Sequence, residues 1–330
     1  MKRHRNAILL AALLFAVGQA SLNSAIESDA LPVRDPIYHE KIELLREHPE
    51  FWCETSERTR WLAIGSSRTQ MLFDAVQFEP ECAAFNLGCA GCGPVAQWLH
   101  LLRILAAGIR ADRVLLEIHP AFLAELPEPF EMRWFRPDRL REGEPALLRT
   151  LGVAADRPAS GAGPWLRSTA HHRSALLGEY APDFLLTREA YRRPRCDGHG
   201  FVESIEPAPA LRAELLATAL REYAPAFADY RPGGPAVLAL RRMIGLCRER
   251  GMRPILFVAP ESGEFRNAYG AAGNTRFAAY CATLAADLAV PILDFRNALP
   301  DSEFVDGHHP TPRGAATFTA LLRQRLKEAP

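Results

Sequence analysis

The stretch Arg60-Trp61-Leu62-Ala63-Ile64-Gly65-Ser66-Ser67-Arg68-Thr69-Gln70 sets the reading of this chain. A short apolar run that stops at glycine and serine suits a strand covered on both faces, because such strands read as continuous hydrophobic residues. The Ser-Ser-Arg-Thr that follows is a natural helix start. Serine and threonine oxygens accept the N–H groups that the first helical turn leaves unpaired. The unit is therefore strand, turn, helix.

The same unit recurs along the chain. Ala83-Ala84-Phe85-Asn86-Leu87 is expected as a second strand, running into Gly88-Cys89-Ala90-Gly91-Cys92-Gly93-Pro94, with a helix over Val95 to Ala107. Arg113 to Ile118 is a third strand, ending at His119-Pro120. Pro235 to Arg250 reads as an amphipathic helix closed by Gly251. Pro254 to Pro260 is a fourth strand, Asn274 to Leu288 a helix, and Val290 to Phe295 a short fifth strand. Thr311-Pro312 opens the last helix, with threonine as cap and proline at the first helical position. Upstream, Pro36 to Pro49 reads as a short helix. Strands alternating with helices predict the α/β class, a parallel sheet with helices on both faces. Ligands of such sheets bind beyond the carboxyl ends of the strands.

Bulk properties bound the rest. The chain has 330 residues, 48% of them apolar, which suits one large domain with an insertion. Lys+Arg and Asp+Glu are equal at 39 each, so no basic excess exists to drive binding to a phosphate backbone, and nucleic acid is excluded as a partner. Lys2, Arg3, His4 and Arg5 precede an unbroken apolar run from Ala7 to Val17. Residues 1–28 therefore read as a signal peptide or signal-anchor, which places the body in the periplasm or otherwise outside the cytoplasm. Residues 29–330 form the expected main domain. Within it, residues 121–233, rich in proline and arginine, are expected as an insertion of mostly helical and loop character. The seven cysteines are an odd count, so disulfide pairing leaves at least one over. Cys89 and Cys92 have C-x-x-C spacing, but no second C-x-x-C accompanies them.

Three places carry chemistry. Ser67 stands at a strand-to-helix turn, where its hydroxyl is exposed and its N–H can receive an oxyanion. Asn86-Leu87-Gly88-Cys89-Ala90-Gly91 follows the second strand, and its glycines let backbone approach a ligand closely. Phe304-Val305-Asp306-Gly307-His308-His309-Pro310-Thr311 holds an aspartate and a histidine three residues apart. A serine hydroxyl is a weak nucleophile that needs a base, and the base needs an orienting carboxylate. One loop supplies both. Asp306, His308 and His309 also form a weaker metal-ligand set.

The order of Gly-x-Ser, then Asn-x-x-x-x-Gly, then Asp-x-x-His-Pro before the final helix resembles the SGNH/GDSL hydrolases. Asp306 to Ala315 is the most specific part. Within that superfamily the chain looks most like extracytoplasmic members that accompany membrane O-acyltransferases, of the alginate O-acetylation and D-alanyl transfer type. The resemblance covers about Trp61 to Ile118 and Pro235 to Leu326. It implies a three-layer, flavodoxin-like fold with about five parallel strands. It implies Ser67 as nucleophile, with Ser66 where many members have aspartate, and Asp306 and His309 as acid and base. Ser67 and Gly91 are the implied oxyanion donors, with Gly88 competing for the second place. The family's usual Gly-x-Asn-Asp after the third strand is replaced by Glu117-Ile118-His119-Pro120, so His119 is the substitute donor. No cofactor and no metal is implied. The implied function is a serine esterase or O-acyl(acetyl)transferase acting on an acylated glycan or small acyl ester, with a membrane O-acyltransferase as a further partner. The missing asparagine and the long arginine-rich insertion motivate a second hypothesis, a non-catalytic accessory protein that binds a glycan or a membrane partner.

Overall fold

The computed structural model describes residues 2–28, 30–31, 33–135, 139–154, 169–170, 172–181 and 196–328. Two long pieces of the expected insertion, 155–168 and 182–195, lie outside the described residues. The chain divides into two compact units. One takes Met1–Glu40, Arg136–Arg149 and Ala154–Arg193; the other takes Lys41–Phe135, Thr150–Val153 and Pro194–Pro330.

In the first unit, helix α1 (Lys2–Glu27) extends the apolar run expected at the N-terminus into one uninterrupted helix. His4–Glu27 is long and apolar enough to cross a membrane by length and composition, with a mean hydropathy of 1.7. Ile8, Leu9, Leu10, Leu13, Leu14, Phe15 and Val17 are all exposed. A signal sequence has the same character. Past α1, Arg34 pairs with Glu27 at 2.9 Å. Helix α2 (Pro36–Arg46) then leads into the second unit.

The second unit is built on a five-stranded sheet of order β2-β1-β3-β4-β5, every pair parallel. The strands are β1 (Thr59–Ile64), β2 (Cys82–Asn86), β3 (Arg113–Ile118), β4 (Arg253–Val258) and β5 (Ile292–Asp294). Helices α3 (Ser67–Leu72) and α4 (Pro94–Ala106) follow β1 and β2. Shorter α5 (Glu144–Arg149) and α6 (Arg173–Tyr180) belong to the first unit, and α7 (Pro209–Phe227) to the second. Helix α8 (Gly234–Glu249) precedes β4, and α9 (Gly263–Ala268) and α10 (Gly270–Leu288) follow it. The sequence reading had no counterpart for α9. The chain closes on α11 (Pro312–Glu328).

Both faces of the sheet are apolar, as the continuous strand runs require. Trp61, Ala63, Leu115, Ile255 and Phe257 face one core, which Leu72, Phe73, Phe318, Leu322 and Leu326 complete. The alternate residues Leu62, Ile64, Val114, Leu116, Leu256 and Val258 are equally buried. Their side is served by α4 and α8, which pack on each other, and α8 also packs on β4. The chain steps from β1 to β2 on one side and then crosses to β3 on the other. The strand order reverses between β1 and β3, the topological switch point at which sheets of this kind bind their ligands.

Candidate active site

The turn after β1 lies at that switch point. Ser66 is the N-cap of α3, and its Oγ accepts the Arg68 N–H at 3.1 Å. Ser67 is the first helical residue and is half-buried. Gly65 leaves the room that the turn needs, because a Cβ there would sit 1.8 Å from Thr69 Oγ1.

The loop before α11 approaches from the other direction. His309 Nε2 lies 2.7 Å from Ser67 Oγ, and His309 Nδ1 lies 2.7 Å from Asp306 Oδ2. A carboxylate only accepts, so Nδ1 carries the ring proton and Nε2 is left to accept from the serine hydroxyl. Asp306 Oδ1 also accepts the backbone N–H groups of His308 at 3.2 Å and His309 at 2.8 Å. Gly307, at φ +90, lets the loop turn this tightly. Burial works against the Asp306 carboxylate, but the imidazoles of His308 and His309 and the hydrogen bonds from His309 outweigh it and hold the carboxyl below its usual range.

Ser67, His309 and Asp306 therefore form one hydrogen-bonded chain across 242 residues of sequence. The other residues singled out in the sequence fall differently. Gly88 donates its N–H to Asn86 Oδ1 at 2.8 Å, so that hydrogen serves the fold. Gly91 is half-buried at φ +74 in the loop after β2, and a Cβ there would meet Trp134 at 2.6 Å. His119, at the end of β3, is fully buried with neither ring nitrogen hydrogen-bonded. Its ring stacks on Tyr223 at 5.6 Å and lies 6.4 Å from His308. Desolvation, with Arg68, His308 and His309 nearby, lowers it well below the ordinary imidazole value, so it is neutral. His308 packs on Phe265 and Tyr223, each at 4.9 Å. Burial pushes it down to about 3. Its Nδ1 is 3.3 Å from Asp306 Oδ1 but is not aligned for a hydrogen bond.

The ligand atoms of Asp306, His308 and His309 lie within 4.8 Å of one another, the spacing of a metal set. Both His309 nitrogens are already committed, one to Ser67 and one to Asp306. A metal there would have to break the chain, so the arrangement suits proton transfer better than ligation.

A buried charge network behind Ser67 was not read from the sequence. Glu117, inside apolar β3, accepts Ser66 N–H at 2.7 Å and Thr69 Oγ1–H at 2.6 Å, and the Ser66 hydroxyl is 2.9 Å away. Arg68, fully buried, stands between Glu117 at 3.6 Å and Glu261 at 3.1 Å. It also donates to the carbonyls of Ala259 and Pro260 beyond β4. A carboxylate from the next strand thus holds the residue just before the candidate nucleophile, at the position where the resemblance leads one to expect aspartate. The available signal was the glutamate itself, since a charge in a strand buried on both faces must be paired. Asn86 completes the frame, its amide donating to the carbonyls of Thr69, Gln70 and Phe73.

No protein-family model matches this chain, and no curated protein matches it. Solved structures similar to it include a GDSL-like lipase from Bacteroides thetaiotaomicron and the inhibitor-bound aryl esterase of M. smegmatis. The first is 10% identical with a TM-score of 0.39, over 88% of this chain and 98% of that one. The second is 12% identical with a TM-score of 0.36, over 82% and 99%. At such identities the chemistry has to be argued from this chain's own atoms.

Proposed function

We propose that this protein is a serine hydrolase or acyltransferase of the SGNH/GDSL type that works through an acyl-serine intermediate. The observation that carries the reading is the Ser67–His309–Asp306 chain, with both links at 2.7 Å. Ser67 Oγ attacks the acyl carbonyl while His309 Nε2 takes its proton. Asp306 keeps the ring in the required tautomer and stabilises the imidazolium. The developing oxyanion is received by the N–H of Ser67 and that of Gly91. His119, neutral and without a hydrogen-bonding partner, is the donor we assign to the place of the missing asparagine. His309 then returns the proton to the leaving oxygen. Water or a sugar hydroxyl releases the acyl group by the same steps in reverse.

The apolar α1 supports an exported or membrane-anchored chain. An acyl ester on a cell-envelope glycan is the substrate that fits this location, and a membrane O-acyltransferase the fitting partner. The test is direct. The full chain is expected to label with a fluorophosphonate at Ser67 and to hydrolyse p-nitrophenyl acetate. Ser67→Ala is expected to abolish labelling and to lower turnover by about 10⁴-fold or more. Equal rates for the two proteins would refute the proposal. Because β3 ends in His119 and not in the family's asparagine, an accessory protein with the same fold is the competing reading; it predicts no labelling at Ser67.

A further inference from the structure

A second cluster of reactive side chains lies apart from the Ser67 chain. Cys89 and Cys92, before α4, and His100, within α4, bring two thiols and an imidazole together. Their ligand atoms all lie within 4.8 Å of one another. All three residues are buried, at 2%, 7% and 4% exposure.

The backbone builds this site. The Cys92 N–H donates to the Cys89 carbonyl at 3.1 Å, closing a tight turn that puts both thiols on one side. Gly91, at φ +74, supplies the left-handed residue that the turn needs. The Cys89 N–H is anchored to the Gly65 carbonyl at 2.9 Å, and Gln97 Nε2 holds the Cys92 carbonyl at 3.0 Å. Helix α4 then carries His100 back to the pair.

We propose that Cys89, Cys92 and His100 bind one thiophilic divalent ion of the zinc class. Zinc takes thiolate at about 2.3 Å and imidazole at about 2.0–2.1 Å in a tetrahedron, which spaces the donors by about 3.7 Å. Binding takes two thiolates and the lone pair of an unprotonated imidazole, so any proton these three groups carry is released to water. Glu131 gives its oxygens to the N–H groups of Val95 and Ala96, so we assign it no ligand role. The ion would pin the loop that holds Gly91, and the site stands whether or not Ser67 is a nucleophile.

The test uses the full chain purified under reducing, chelator-free conditions. Elemental analysis is expected to find about one zinc per chain. Cobalt substitution is expected to show thiolate-to-metal charge-transfer bands. Cys89→Ser and Cys92→Ser are expected to cut the metal content to about a tenth or less, while the exposed Cys53→Ser keeps it. Stripping the wild-type chain and titrating zinc back, with proton release as the readout, needs no variant and so survives a folding defect. Three results would overturn the proposal: reduced wild-type protein that takes up no zinc, metal that persists in both cysteine variants, or a Cys89–Cys92 disulfide whose reduction creates no zinc site.

Discussion

Glu117 offers the sharpest test of how the turn after β1 is held. Glu117→Ala removes the acceptor of the Ser66 N–H, the Ser66 hydroxyl and the Thr69 hydroxyl. The two hydroxyls can rotate toward other acceptors, but the backbone N–H cannot. Arg68, fully buried, keeps Glu261 and loses Glu117. Removing one partner of a buried ion pair costs about 3–5 kcal/mol, because a charge is left uncompensated. Glu117→Gln keeps the volume and one acceptor oxygen for Ser66 N–H and Thr69, and loses the charge and the second acceptor that faces Arg68. Its expected cost is about 1–3 kcal/mol, the range of a hydrogen bond to a charged group. Urea unfolding of the full chain measures both. Ester turnover should fall with them, by up to about 10²-fold for the alanine variant, since Ser67 follows the anchored residue directly and small misplacements of a nucleophile are costly. If Glu117→Ala unfolded within about 1 kcal/mol of wild type, or if glutamine were as damaging as alanine, the network would not be what holds the turn.

Three further outcomes follow from the geometry. Asp306→Asn is expected to lower turnover by about 10⁴-fold by allowing the wrong His309 tautomer. Because the native carboxyl is held low, its stabilising contribution is present above the unfolded value of about 3.9 and disappears as pH falls below it; a stability gap between variant and wild type that stays constant down to acid would contradict this. His308 is held neutral down to about 3, whereas the unfolded imidazole takes its proton near about 6.5. Between those values the unfolded state binds the extra proton, so His308 costs up to about 1.4 kcal/mol of stability per pH unit as pH falls. His119 acts in the same direction. His308→Gln should flatten the slope in that window, and parallel unfolding curves for the two proteins would refute the assignment. Gly91→Ala forces a side chain into the left-handed region and against Trp134. It should destabilise by about 2 kcal/mol or more, since the backbone term alone is about 1–2, and thermal unfolding would show it.

The sheet was legible because its strands carry their own signal. Runs such as Val114-Leu115-Leu116 are apolar on both faces, as a covered parallel strand requires, and the helices between them fix the parallel reading. The helix starts were legible at Ser66 and Thr311 for a local reason, the capping of first-turn N–H groups. Helix α9 was missed because its six residues, Gly263–Ala268, are too few to show a helical period. Glu117 carries a signal that hydrophobic patterning does not use: a charge in a strand buried on both faces must be paired, and its partners Ser66, Thr69 and Arg68 lie about 50 residues earlier in the chain.

Local chemistry written in the sequence was enough to establish an alternating α/β chain and to nominate Ser67, Asp306 and His309. It could not decide that Ser67 and His309 meet, or that Glu117 takes hold of Ser66 from the next strand. Those facts depend on strand order and on crossovers between segments as much as 242 residues apart. Hydrophobic patterning and caps are short-range properties of the chain. Which distant segments become neighbours is settled only when the whole sheet has closed over its two cores.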